Sequence, residues 1–275
     1  MLTAVAHRKK PLVIAHRGSS DERAEHTLVA YTEAIEAGAD ALECDVRLTA
    51  DTVLVCVHDR RIDRVSDGRG VVANQTLAQL EQRDFAQWKH QTPVPLEDDL
   101  GPYDDVARRV LTLDALLDLA TSADRPVGLS IETKHPTRFG GLVENLLVAS
   151  LERYGLLTPR HRLEGQVRLM SFSEAALRRM RGLAPDLRRV YLMDRVPVRC
   201  RTGWLPYGAR IAGPGIHVLR KHPGYVAKVR AAGGKVHVWT VDEPEDVDLC
   251  LELGVDGIIT NRPDAVRRQV DAEFA

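Results

Sequence analysis

The chain has 275 residues, 44% of them hydrophobic and 28% charged, with 38 Lys and Arg against 39 Asp and Glu and a formal net charge of −1. This apolar content excludes a disordered chain, and the absence of a basic excess argues against a nucleic-acid partner. The length suits one large α/β domain spanning residues 1–275.

The N-terminal stretch MLTAVAHRKKPLVIAH carries only a short apolar run before the basic cluster His7 to Lys10, with no small-residue cleavage site. No secretory signal or membrane span is readable there, so a cytoplasmic protein without stable membrane insertion is expected. PLVIAH reads as the first strand and HTLVAYTEAIEAG as a helix, followed by two strands, DALECDVRLT and TVLVCVHD. From Arg60 to Tyr103 the rhythm breaks into polar, Pro-containing sequence with one helix near Leu77 to Arg83, which we read as an insertion over residues 60–103. Strands resume in PVGLSIETK, GQVRLMSF, RRVYLMD, KVHVWTVD and DGIITNRP. Between them lie the helical segments RFGGLVENLLVASLERYG, SEAALRRMRGLA, GYVAKVRAAGG and EPEDVDLCLELG. Alternation of this kind predicts βα units around a parallel sheet, and the eight strand candidates fit a TIM (β/α)8 barrel. Gly38, Gly233 and Gly254 each follow a helix just before a strand, where a left-handed C-cap is wanted. The four cysteines, Cys44, Cys56, Cys200 and Cys250, form no C-x-x-C pair and read as reduced core residues.

Successive strand residues alternate faces. In LECDV, Glu43 and Asp45 therefore oppose Leu42, Cys44 and Val46, and an apolar face packing on helices leaves the carboxylates pointing into the barrel or toward its mouth. Glu132 and Lys134 likewise oppose Ile131, His16 and His58 close their strands, and His237 shares a face with Trp239. Five strands thus bring polar or aromatic groups near their C-terminal ends, where barrel enzymes build active sites. Three carboxylates in one pocket need a cation to offset their repulsion, and an all-oxygen set suits one hard divalent ion, Mg²⁺ or Ca²⁺. A metal beside Arg17 and two histidines suits phosphoryl chemistry, with proton transfer by the histidines.

The stretch AHRGSSDERAEHTLVAYTEAIEAGADALECDVRLTADTVLVCVHDRRIDRVSDGRG closely resembles the opening signature of the glycerophosphodiester phosphodiesterase family, and IETK, VWTVD and GVDGIITNRP resemble its later blocks, in the expected order. The resemblance implies a TIM barrel that hydrolyses glycerophosphodiesters, such as glycerophosphocholine or glycerophosphoethanolamine, to glycerol 3-phosphate and an alcohol with a divalent metal. It further implies His16 and His58 as catalytic, Arg17 as phosphate-binding, and Glu43, Asp45 and Glu132 as metal ligands. Lys134 matches a site lysine, Trp239 an aromatic lining the substrate pocket, and Glu25 a residue of the family's E-N-T triplet; Phe172 of MSF is a further candidate for the substrate wall.

Two positions depart from the family pattern. His26 stands in E-H-T where the family has Asn, which leaves its part in the site open, and Thr52 replaces the Gly of a D-G turn, a change expected to be harmless.

Two rival activities have features of their own. A lysophospholipase D or sphingomyelinase-D-like enzyme would want a membrane-docking loop, for which Phe85 and Trp88 in RDFAQWKHQTPVPLED are the candidates, and a non-catalytic phospho-ligand barrel would not need both histidines. In isolation, His217, His222 and His237 read as surface or core residues, GRGVVA lacks the strand that a dinucleotide site requires, and no G-x-S-x-G or P-loop occurs. The acid and base assignment, a cyclic phosphate intermediate, the head group, the oligomeric state and the face of Asp59 stay open at this level.

Overall fold

The structure, a computed structural model, describes residues 9–89, 108–157 and 167–275. In chain order the elements are β1 (Leu12–His16), α1 (Leu28–Glu36), β2 (Ala41–Leu48), β3 (Leu54–Cys56), α2 (Leu77–Leu80), α3 (Leu113–Ser122), β4 (Gly128–Thr133), α4 (Leu142–Arg153), β5 (Val167–Ser171) and α5 (Glu174–Leu183). They continue with β6 (Arg188–Met193), β7 (Ile211–Pro214), α6 (Ile216–Lys221), α7 (Tyr225–Ala231), β8 (Lys235–Val238), α8 (Pro244–Leu253), β9 (Gly257–Thr260) and α9 (Pro263–Glu273).

The parallel strands run β1-β9-β8-β7-β6-β5-β4-β2, and β1 pairs again with β2, which closes a TIM barrel. The strand count of eight was expected, but its membership differs. TVLVCVHD contributes β3, which pairs antiparallel with β2 through Val46–Cys56 and Leu48–Leu54 and lies outside the closed ring. The missing barrel strand is β7, whose IAGP is too short and too rich in Gly and Pro to show a strand period. Gly213 sits in a crowded position, where a Cβ would lie 2.7 Å from a Leu192 side-chain methyl and 2.9 Å from one of Val190. Helix α3 lies outside the segments expected to be helical; Thr112 caps it and Leu113, Leu116, Leu117 and Ala120 form a buried stripe.

Packing follows parity. Leu42, Cys44, Val46, Leu129 and Ile131 point outward into a buried layer under α1, α3 and α4, while β6 to β9 build a second such layer with α6 to α9. The inward faces form a smaller cluster, Ile14, Ala41, Met170, Val190, Leu192, Ile211 and Ile259. Each fully buried aliphatic side chain contributes about 1.5–3 kcal/mol, so these layers dominate the fold's stability. Gly38, Gly233 and Gly254 all take positive φ as expected, and the four cysteines are buried and unpaired.

After β3 the chain to residue 89 folds back over the hairpin. The helix expected over Leu77 to Arg83 is only α2, opened by a capping box of Thr76 and Gln79. Phe85 is buried with Val55, Val57, Ile62 and Leu80, and Trp88 packs half-buried against the same group, so the Phe85 ring is not exposed as a membrane anchor. Residues 90–103 of the expected insertion, and the loop beyond Trp88, lie outside the described residues apart from Lys89. No helix among the described residues is long and apolar enough to cross a membrane.

Candidate active site

The inward faces of the strands become polar toward the mouth. Ile14 is followed two residues on by His16, Ala41 by Glu43 and then Asp45, Ser130 by Glu132, and Ile259 by Asn261. One parity rule therefore yields an apolar barrel interior capped by ionisable groups.

The β1–α1 turn sets the first of these. Gly18 takes φ +88, and a Cβ there would lie 2.6 Å from the Ala30 carbonyl carbon, so only glycine fits. The turn lets the Arg17 amide donate to the Glu43 side chain at 3.1 Å, and the Arg17 guanidinium donates to Glu25 at 3.0 Å and lies 3.2 Å from Asp45. Glu25 also accepts two bonds from Arg64 at 2.8 Å. Burial opposes its charge, yet Arg64 and Arg17 hold it down to about 2.

Glu43, Asp45 and Glu132 are all buried, and one oxygen from each lies within 4.8 Å of the others. Three negative charges cannot share that space cheaply. Burial and the charge on Asp45 push Glu43 well above the carboxylate range and Glu132 up to about 8. Asp45 goes the other way: burial raises it, but Lys134, His26 and Arg17 outweigh burial and hold it well below. Lys134 Nζ lies 2.9 Å from Glu132 and 3.3 Å from Asp45. An all-oxygen triad of this kind can hold a divalent metal ion.

The histidines approach from two sides. His16 Nδ1 meets Asn261 Oδ1 at 2.7 Å, and Asn261 donates its own amide to Asp242. The Asn oxygen can only accept, so His16 carries its proton on Nδ1 and turns the Nε2 lone pair to the cavity, 4.0 Å from Glu43. Burial and Arg17 lower His16 to about 3, which keeps it neutral.

His58 follows β3, which returns along β2 toward the barrel mouth, and its carbonyl accepts two bonds from Arg47. Its Nδ1 donates to Asp59 at 2.8 Å, and Asp59 is in turn gripped by Arg64. The strand ends at Cys56, so the opposed parity of Asp59 no longer applies. Burial and the cations Arg17 and Lys134 lower His58, against the pull of Asp45 and Asp59.

His16, Arg17, Glu43, His58, Glu132 and Lys134 form the polar wall of a cavity of about 300 Å³ whose other wall is Met170, Phe172, Leu192, Trp239 and Ile259, with Asp194 at the rim. Phe172 meets Trp239 edge to face at 5.5 Å, and the Trp239 indole donates to the Gly213 carbonyl at 2.7 Å. His237 shares the inward face of Trp239 but lies deeper, buried at the opposite end of the barrel with Arg168 and Asp256, so it takes no part here.

Asn261, Asp242, Arg64 and Arg47 were missed from sequence. Only Asn261 carried a usable signal, as the next inward position after Ile259 in GIITN. His26, whose part the sequence left open, has a buried ring that bridges the Tyr31 hydroxyl at 2.8 Å and Asp45 at 3.0 Å, and Tyr31 donates to the Glu43 carbonyl.

The Glycerophosphoryl diester phosphodiesterase family profile matches residues 16–265. The chain is 45% identical to the "Probable glycerophosphodiester phosphodiesterase 1" of Mycobacterium tuberculosis, over 92% of this chain and 90% of that protein. It is 32% identical to a glycerophosphodiester phosphodiesterase of Bacillus subtilis, over 92% and 84% of the respective chains. In fold it is similar to a phosphodiesterase of Oleispira antarctica, with a TM-score of 0.78 at 24% identity, covering 95% of this chain and 97% of that one. The chain therefore belongs to the glycerophosphoryl diester phosphodiesterase family and is an enzyme of that activity.

Proposed function

We propose that the enzyme cleaves soluble glycerophosphodiesters, glycerophosphocholine and glycerophosphoethanolamine among them, to sn-glycerol 3-phosphate and an alcohol by metal-dependent His/His acid-base catalysis. The single observation that carries this proposal is the convergence of His16, His58, Arg17, Lys134, Glu43 and Glu132 on one cavity, with Asp45 buried against the two glutamates. The Oleispira antarctica phosphodiesterase is described in complex with the product sn-glycerol-3-phosphate, which supports the same product here.

Glu43, Asp45 and Glu132 would hold the ion, and their hard oxygen donors suit Mg²⁺ or Ca²⁺. When bound, the ion supplies Lewis-acid stabilisation of charge on a phosphate oxygen. Arg17 and Lys134 bind the remaining phosphate oxygens, and Glu25 fixes the Arg17 guanidinium by the bond already described. Trp239 and Phe172 pack against the carbon skeleton of the substrate.

The ring environments favour one proton assignment. His16, neutral with Nε2 free, takes the proton from the attacking hydroxyl, whether of water or of the neighbouring glycerol carbon. His58 gives a proton to the leaving alcohol, and the Asp59 carboxylate stabilises its charged form. In this proposal residues 1–275 form one domain, with 60–103 as an insertion whose first part carries Arg64 to the site. Four unpaired buried cysteines support a reducing, cytoplasmic setting.

Release of glycerol 3-phosphate from glycerophosphocholine, assayed with and without EDTA, tests the proposal. Turnover that EDTA abolishes and Mg²⁺ or Ca²⁺ restores is expected, with at least a hundredfold loss in both His16→Ala and His58→Ala. Near-normal turnover in both variants would sink it. Turnover of lysolipid vesicles in preference to the soluble diester would favour the lipid-directed rival.

A further inference from the structure

Beyond the rim of the active-site cavity lies a second, open groove of about 760 Å³. Asp194 lines both spaces. Their common wall is made by two rings, Trp239 facing the active site and His217 facing the groove, which meet edge-on at 6.3 Å. His217 is fixed by donating Nε2–H to the Asp194 carbonyl at 2.7 Å.

The groove is strongly basic although the whole chain is nearly neutral. Arg195, Arg201, Lys221 and Lys228 line it with His222, and Asp194 is the single acid of the lining. The four cations are exposed and have no ion-pair partner among the described residues, unlike Arg199 nearby, which is paired with Glu174. Like charges gathered without counter-charges repel one another and raise the local potential, which an anionic ligand relieves. The Asp194 carboxylate, exposed and with no bonding partner among the described residues, is an acceptor suited to hydroxyl donors.

From the phosphodiester site outward the lining thus runs from aromatic wall to hydroxyl acceptor to cationic groove. We propose that this groove is a leaving-group subsite, and that the enzyme's preferred substrates are glycerophosphodiesters whose alcohol is a polyol bearing a further phosphate. The Asp194 carboxylate accepts from the polyol hydroxyls, and Arg195, Arg201, Lys221 and Lys228 receive the distal phosphate. A cationic alcohol such as choline gains nothing from the groove. This subsite rests on the phosphodiesterase activity at the adjoining cavity, but its binding can be read separately.

The test pairs the wild type with a Lys221→Glu/Lys228→Glu variant, both positions being exposed on α6 and α7. At low ionic strength kcat/KM for glycerophosphoinositol 4-phosphate should fall about tenfold in the variant, through KM, while glycerophosphocholine changes less than about twofold. High salt should erase the difference between the wild type and the variant. Equal losses for both substrates, or no loss for either, would overturn the proposal. Calorimetric binding of inositol 1,4-bisphosphate, abolished in the variant, reads the groove even if no diester is turned over, and no binding to the wild type overturns it. Sedimentation with phosphatidylglycerol vesicles that the variant loses, with unchanged substrate kinetics, would assign the groove to a membrane surface instead.

Discussion

His16 Nδ1 lies 2.7 Å from the side-chain oxygen of Asn261, across 245 residues of chain. Asp242 holds the Asn amide from the other side, at 2.7 Å, so the oxygen can only face the ring. Removing this acceptor frees the ring to rotate and to exchange its proton between the two nitrogens. Asn261→Ala should lower kcat by about 10- to 100-fold with a smaller change in KM, measured by steady-state turnover. Retained kcat would show that the orientation of His16 does not depend on Asn261.

The His58–Asp59 bond gives a pH prediction. A general acid works while protonated, so the rate falls as pH rises past its pKa. Burial and the cations Arg17 and Lys134 already lower His58, and Asp59 opposes them. Asp59→Asn removes that opposing charge and lowers His58 further. The basic limb of the kcat/KM profile should therefore move to lower pH, while an unmoved limb would remove His58 from the acid role.

Glu132 couples metal binding to pH. Burial and Asp45 raise its carboxyl from an ordinary 4.5 to about 8, so the metal-free protein carries a proton there at neutral pH. An incoming ion must displace that proton. Calorimetric affinity for Ca²⁺ should rise with pH until about 8 and then level off, with proton release below that point. The sign for stability is opposite: the raised pKa favours the metal-free fold at low pH, and that contribution is lost as pH climbs through about 8. Glu132→Gln should flatten both dependences, and thermal melts with and without Ca²⁺ measure them.

Thr52, expected to be a harmless change in its turn, adopts φ +63 in the β2–β3 connection. A β-branched residue is poorly suited to this left-handed region, at a cost of about 1–2 kcal/mol. Thr52→Gly relieves that strain while loosening the unfolded chain, for a net gain of about 1 kcal/mol in denaturant melts. A loss of stability would mean that the Thr52 side chain contributes more than its backbone costs.

The repeat of strand and helix and the inward facing of Glu43, Asp45 and Glu132 were legible in the order of residues, because a period of two writes facing directly into a strand, whereas His16, Arg17 and His58 were singled out by the family resemblance. The sequence could not determine which strands close the ring. IAGP of β7 is too short to show that period, and β3 shows it while lying outside the barrel. Only the tertiary structure brought Asn261 to His16, Arg64 to both Glu25 and Asp59, and His26 between Tyr31 and Asp45. These contacts join positions from different turns of the barrel, and the distance between such residues is set by ring closure and strand register, which no local pattern of side chains encodes.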